Sequence, residues 1–150
     1  MKPRKVTKSI VVNTNVSHAY QLWSDIENFP NFMRNIKSIK KTGERTSHWV
    51  KEGPLGKEIE WDARTTAMEP DRRIAWEGMG GHITTSGEVT FKPLPDDRTE
   101  VTLSMSYTPE GGIIAEALAR ILDNPERNVE QDLHDFKSYA ESLAPVGAHE

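Results

Sequence analysis

Between residues 58 and 107 the chain alternates apolar and polar positions with a period of two. Ile59, Trp61, Ala63, Thr65 and Ala67 share one side, and Glu58, Glu60, Asp62 and Arg64 take the other. Ile74, Trp76 and Gly78 alternate with Arg73, Ala75 and Glu77; Ile83, Thr85, Gly87, Val89 and Phe91 alternate with Thr84, Ser86, Glu88, Thr90 and Lys92. Val101, Leu103, Met105 and Tyr107 oppose Thr102, Ser104 and Ser106. The stretches KTGER, EGPLGKE, MEPDRR, GMGGH and PLPDDRT punctuate residues 37–109 with Gly, Pro, Asp and charge, as hairpin loops do. This pattern predicts an antiparallel sheet with one wet and one buried face. A slip of one residue would bury the charged set, so the register is well determined.

The flanks follow other periods. Residues 4–12 read as a first strand with Val6, Ile10 and Val12 on one side. Asn15 or Ser17 then caps a short helix whose apolar residues Val16, Ala19, Tyr20 and Trp23 recur at i, i+3, i+4 and i+7. Next comes WSDIENFPNFMRNIKSIKK, which sets apolar bulk around a helix breaker. Proline lacks an N–H and collides with the preceding turn, so Pro30 suits only the first turn of a second helix carrying Phe29, Phe32, Met33 and Ile36. Near the C-terminus, Ile114, Ala117, Leu118, Ile121 and Leu122 are followed by Val129, Leu133, Phe136, Ala140 and Leu143, with Asn124-Pro125 between. The second group predicts a helix over 126–143, about 27 Å long.

These elements impose a shape. Seven strands at about 4.8 Å spacing make a sheet about 34 Å wide, whereas a helix with its side chains is about 10–12 Å across. One helix covers such an apolar face only if the sheet curls around it, with Gly78 and Gly87 as candidate bends. The inward set mixes Trp61 and Trp76 with Ala63, Thr65, Gly78, Thr85 and Gly87, and small residues beside large ones leave room for a cavity. Phe29, Phe32 and Met33 are then expected at its opening.

Composition narrows the function classes. The 150 residues are 35% hydrophobic and 28% charged with four tryptophans, as expected for a folded α+β domain spanning 1–150 with a core at about 5–143. No cysteine is present, which removes disulfides, thiolate metal sites and cysteine nucleophiles and fits a reducing cytoplasm. The apolar run near the N-terminus, Ile10 to Val12, is too short for a signal-peptide core or a bilayer span. Net charge is −4, yet residues 1–42 hold eight Lys/Arg against two Asp/Glu. Basic and aromatic residues do not interleave there, so we read solvated strand faces and expect no nucleic-acid partner. The five histidines are scattered, with neither H-x-H nor H-E-x-x-H, and neither glycine-rich turn has nucleotide-loop spacing. No metal and no cofactor are expected.

The order strand, two short helices, six strands, long helix resembles the helix-grip fold of the START/Bet v 1 (SRPBCC) superfamily, and within it the polyketide cyclase/dehydrase-like branch. The resemblance rests on WSDIENFPNFMRNIKSI, HWVKEGPLGKEIEWDARTTAMEPDRRIAWEGMGG, SGEVTFKPLPDDRTEVTLSMSY and NPERNVEQDLHDFKSYAES. It implies a curved seven-stranded sheet gripping the last helix, with a deep apolar cavity for lipids, isoprenoids, quinones or polyketides. It also favours an inward Trp49, which the alternation of SHWVKEG leaves ambiguous because Trp49 shares a face with Lys51. The candidate cavity residues are Phe29, Phe32, Met33, Trp49, Trp61, Trp76, Thr85, Met105, Tyr107 and Phe136. Trp61 and Trp76 serve equally as core packing or as wall with indole donors. Tyr107 is the candidate catalytic group, set against a buried phenol satisfied by backbone. His48, His82 and His134 read as surface histidines. The expected function is binding of a hydrophobic or amphipathic small molecule. The alternatives are a cyclase/dehydratase enzyme and a protein-interaction module with a closed cavity. Peripheral membrane contact and the identity of any protein partner stay open.

Overall fold

The computed structural model describes residues 4–32, 36–52, 58–81, 83–109 and 125–143. Strand β1 (Arg4–Val12) leads into helix α1 (Val16–Ser24) and a 3-10 helix (Ile26–Asn31). Six strands follow: β2 (Ile36–Lys41), β3 (Thr46–Glu52), β4 (Glu58–Glu69), β5 (Arg73–Gly81), β6 (Ile83–Leu94) and β7 (Arg98–Pro109). Helix α2 (Pro125–Ser142) comes last.

All seven strands form one curled antiparallel sheet in the order β1-β7-β6-β5-β4-β3-β2. Consecutive strands are hairpin neighbours except β1, which crosses back to pair with β7 from Arg4↔Tyr107 to Val12↔Thr99. The alternation predicted for β4 is realised: Ile59, Trp61 and Ala63 are buried while Glu58, Glu60, Asp62 and Arg64 are exposed. Charged pairs such as Arg64–Glu77 and Arg73–Glu88 cross the wet face. Curvature comes with ladder irregularities. The β4–β5 register shifts between Asp62 and Ala63 and again between Thr65 and Ala67, which leaves Met79 and then Thr66 without a partner. Such an extra residue bends its strand, and Met79 stands next to Gly78.

Gly87 has a different use from the bend expected of it. A Cβ there would lie 2.7 Å from Met105 Sδ, 2.7 Å from Trp76 Cζ2 and 2.9 Å from the Ser104 carbonyl oxygen. The missing side chain is the space that the Trp76 indole occupies. Gly87→Ala therefore displaces the ring and costs about 1–3 kcal/mol, the usual range for overpacking. Denaturant unfolding measures this, and an unchanged midpoint would refute the packing argument.

The helices differ from expectation in one place. Asn15 caps α1 by accepting the His18 amide at 2.9 Å, and α1 buries Ala19 and Trp23 as its spacing predicts. The second helix, expected to begin at Pro30, is a 3-10 segment that begins at Ile26 and holds Pro30 next to its end. Ile36 belongs to β2. Pro30 has no N–H to carry a longer helix onward, and the turn closes instead through Phe32 N–H to the Phe29 carbonyl at 3.0 Å. Met33 lies outside the described residues, as do 110–124 with their predicted apolar group.

Helix α2 lies against the inner face through Val129, Leu133, Phe136 and Ala140, all buried. Its polar edge is tied to β1 and the turn after it. Lys8 pairs with Glu130 at 3.1 Å, Lys137 Nζ donates to the Val11 carbonyl at 2.9 Å, and Glu141 accepts the Asn13 amide at 2.9 Å. These contacts run in order along β1, so the N-terminal half of α2 faces the end of the sheet where β3 finishes and β6 starts.

Candidate functional site

Phe29 and Phe32 come from the 3-10 segment, Trp23 from α1, Trp49 from β3 and Phe136 from α2, and they meet over the middle of the sheet. Trp23 is the hub: its ring centroid lies 5.5 Å from Phe29, 6.0 Å from Phe32 and 4.8 Å from Phe136, in edge or tilted geometry. Phe29 stands edge-on to Trp49 at 5.5 Å, and Trp49 stacks on Trp61 at 5.8 Å. Aromatic quadrupoles favour such offset and T-shaped contacts, each adding about 0.5–1.5 kcal/mol beyond area burial.

The opening expected beside Phe29 and Phe32 is thus filled with rings. Trp23, Ile26, Phe29, Ser47, Trp49, Ala63, Thr65, Ile74 and Trp76 enclose only ≈ 10 Å³, about the room of one water molecule. Trp49 donates its indole N–H to Ser47 Oγ at 2.9 Å. The Trp23 indole N–H is buried and has no hydrogen-bond partner among the described residues. A shallower groove of ≈ 390 Å³ runs outside this plug, between Pro30, Asn31 and Phe32 on one side and Asp135, Ser138 and Tyr139 on the other.

The other candidates spread along the inner face. Trp76 and Met105 are partly buried against the core beside Gly87. The ladder pairs Thr85 with Tyr107 at the far end of β6 and β7; only their backbone placement is described. His48 faces outward, with Nδ1 2.8 Å from Asp62 and Nε2 2.9 Å from Glu60. Those two hydrogen bonds raise its pKa. His134 is exposed, and His82 lies outside the described residues. Among the described residues no group of three or more His, Cys, Asp or Glu is placed to hold a metal ion.

Two charged groups, Lys51 and Asp132, belong to this far end; of these, only the shared face of Lys51 and Trp49 is noted in the sequence. Lys51 follows Ser47 and Trp49 on the inward side of β3, in register with Ile36 on one neighbour and Ile59 on the other. Asp132 sits on α2 beside Leu133, one turn from Phe136. Burial is the largest influence on both: it lowers the Lys51 pKa and lifts the Asp132 carboxyl to about 6, with the charge of each opposing the effect on the other. Both nevertheless keep partial exposure. The shared face of Trp49 and Lys51 was legible, and Asp132 occupies the i+3 position of the stripe Val129, Leu133 and Phe136, at its edge.

A curled seven-stranded antiparallel sheet around a C-terminal helix defines a helix-grip protein. Residues 12–134 match the family described as polyketide cyclase/dehydrase and lipid transport, and the chain belongs to that family. An uncharacterized 17.2 kDa protein of Streptomyces lincolnensis is 36% identical over 137 residues, 91% of this chain and 89% of the relative. Among solved structures, a Deinococcus radiodurans protein is 29% identical with a TM-score of 0.71, over 90% of this chain and 95% of that one. The Zhui aromatase/cyclase of Streptomyces sp. R1128 shares the fold at a TM-score of 0.80 and 18% identity, over 97% and 98%. A START superfamily protein of Mycobacterium smegmatis does so at 0.75 and 14%, over 93% and 99%.

Proposed function

We propose that the protein binds a hydrophobic or amphipathic small molecule, of the lipid, isoprenoid/quinone or polyketide kind, between the sheet and α2 on the side of Lys51. The observation that carries this reading is the contrast between the two ends of the inner face. One end is packed solid by aromatic rings, and the other holds two charged groups that are withdrawn from water yet partly accessible. Buried charge is costly unless it is paired and hydrogen-bonded, a need that a bound polar group can meet. Family membership supports the ligand class. Trp76 and Met105, partly buried on the inner face, would supply apolar wall, at about 25 cal/mol per Å² of surface removed from water less the cost of ordering.

A second reading, a cyclase/dehydratase-type enzyme, is favoured by one feature. A carboxyl titrating near 6 is suited to passing a proton near neutral pH, and the backbone of Tyr107 lies at the same end of the sheet. The lack of cysteine suits the cytoplasm, and no described helix is long and apolar enough to cross a membrane. Native mass spectrometry of protein purified from its own cells tests the binding reading. We expect one discrete adduct, released by organic solvent. A bare protein that also ignores added apolar probes would contradict it.

A further inference from the structure

Trp23 stands at the centre of the aromatic plug and is 0% exposed, yet its indole N–H closes no hydrogen bond among the described residues. A buried donor left unmet forfeits its hydration with nothing in return, and native interiors rarely tolerate one. Trp49, in the same plug, shows the contrast. Its N–H is met by Ser47 Oγ at 2.9 Å. Ring packing explains why the Trp23 indole is buried, but it leaves the polar edge of that indole unaccounted for.

The space that Trp23 borders accounts for it. Trp23 lines the void of ≈ 10 Å³ in company with the hydroxyl side chains Ser47 and Thr65, in a wall that is otherwise aliphatic or aromatic. That volume is about the least that holds a single water, and it is too small for any organic group. A buried water also needs about two to four polar partners. The wall supplies them in complementary form. The indole of Trp23 can only donate, whereas a hydroxyl both donates and accepts. Ser47 already accepts from Trp49 and keeps its own O–H to give, and Thr65 offers an oxygen that accepts.

We infer that this void is an internal water site, in which one water molecule accepts from the Trp23 indole and the Ser47 hydroxyl and donates to Thr65 Oγ1. Trp23 comes from α1, Ser47 from β3 and Thr65 from β4, so the water joins a helix to two strands. It gives a plug otherwise held by ring contacts a directional link that fixes how the Trp23 ring is turned. The site goes beyond the small-molecule reading and stands apart from it, because no part of an organic ligand fits where one water does.

Cross-relaxation between water and the indole protons of protein labelled with nitrogen-15 in tryptophan tests the site. At Trp23 Hε1 we expect a cross-peak to water with the sign of a long-lived bound molecule, and a downfield shift typical of a hydrogen-bonded proton. A missing cross-peak overturns the site, as does the upfield shift of an N–H lying against a ring face. Thr65→Val keeps the side-chain shape and removes the acceptor. With water in place it should weaken the cross-peak and lower the folding equilibrium constant about fivefold, the worth of one hydrogen bond. In a dry void the added methyl would leave stability unchanged or raise it, and that result also overturns the proposal. Where Thr65→Val does not fold, the wild-type cross-peak decides alone.

Discussion

Phe136→Ala lowers the unfolding free energy by about 3–5 kcal/mol, the range for truncating a buried aromatic side chain. Phe136 is 0% exposed and touches both halves of the plug, with its ring 4.8 Å from Trp23 and 5.3 Å from Phe32. Through it, α2 is joined to α1 and to the 3-10 segment. For a domain whose total stability is about 5–15 kcal/mol, losing that junction is severe. Phe136→Leu fills part of the space and should cost clearly less. Urea unfolding followed by tryptophan fluorescence compares the two. A loss below about 1 kcal/mol for the alanine variant would mean that the plug re-forms without this ring.

Replacing Lys51 and Asp132 together works in the opposite direction. Buried charges exchanged for apolar side chains of similar size often leave a protein more stable by about 1–4 kcal/mol, whereas removing one partner strands the other. Lys51→Met/Asp132→Leu should therefore melt above wild type at neutral pH, and each single variant should fall below the double. A pH dependence accompanies this. The Asp132 carboxyl has a folded-state pKa of about 6 against an unfolded value of 3.8, raised mainly by desolvation. The folded chain thus holds a proton that the unfolded chain has released, so this group's contribution to stability is fully present below about 4 and is lost as pH rises through about 6. In Lys51→Met the attraction that restrains the shift is gone, and the midpoint moves higher. A carboxyl carbon-13 titration follows it directly. A midpoint near 4 in wild type would show Asp132 to be hydrated.

Much of the architecture could be read from residue order because strand periodicity and burial agree. In β4 every second residue from Ile59 to Ala63 is buried and every intervening one carries charge, so the sequence pattern and the sheet's two faces are the same fact. The helix after Trp23 resisted such reading. A six-residue 3-10 turn has no repeat long enough to register, and Pro30 marks its end as readily as another helix's beginning. The filled interior beside Phe29 was also hidden, because interdigitation depends on ring orientations set by four separate elements. Gly87 shows the same limit: its close approach to Trp76 is a cross-strand property, from the Trp76↔Gly87 pair, that no local pattern encodes. The Lys51 signal was present in SHWVKEG as an apparent conflict of alternation. The structure resolves it by placing both Trp49 and the lysine inward.

The pairing of the first strand with the last also governs how the chain reaches this state. Strands β2 to β7 join only sequence neighbours through hairpins, contacts that close over short loops and form early. β1 must wait, because its partner lies about a hundred residues downstream at Val101 to Tyr107. During synthesis from the N-terminus, Val6, Ile10 and Val12 emerge first and find their shelter last. Lysines at positions 5 and 8 keep that waiting segment hydrated until β7 and α2 arrive to cover it.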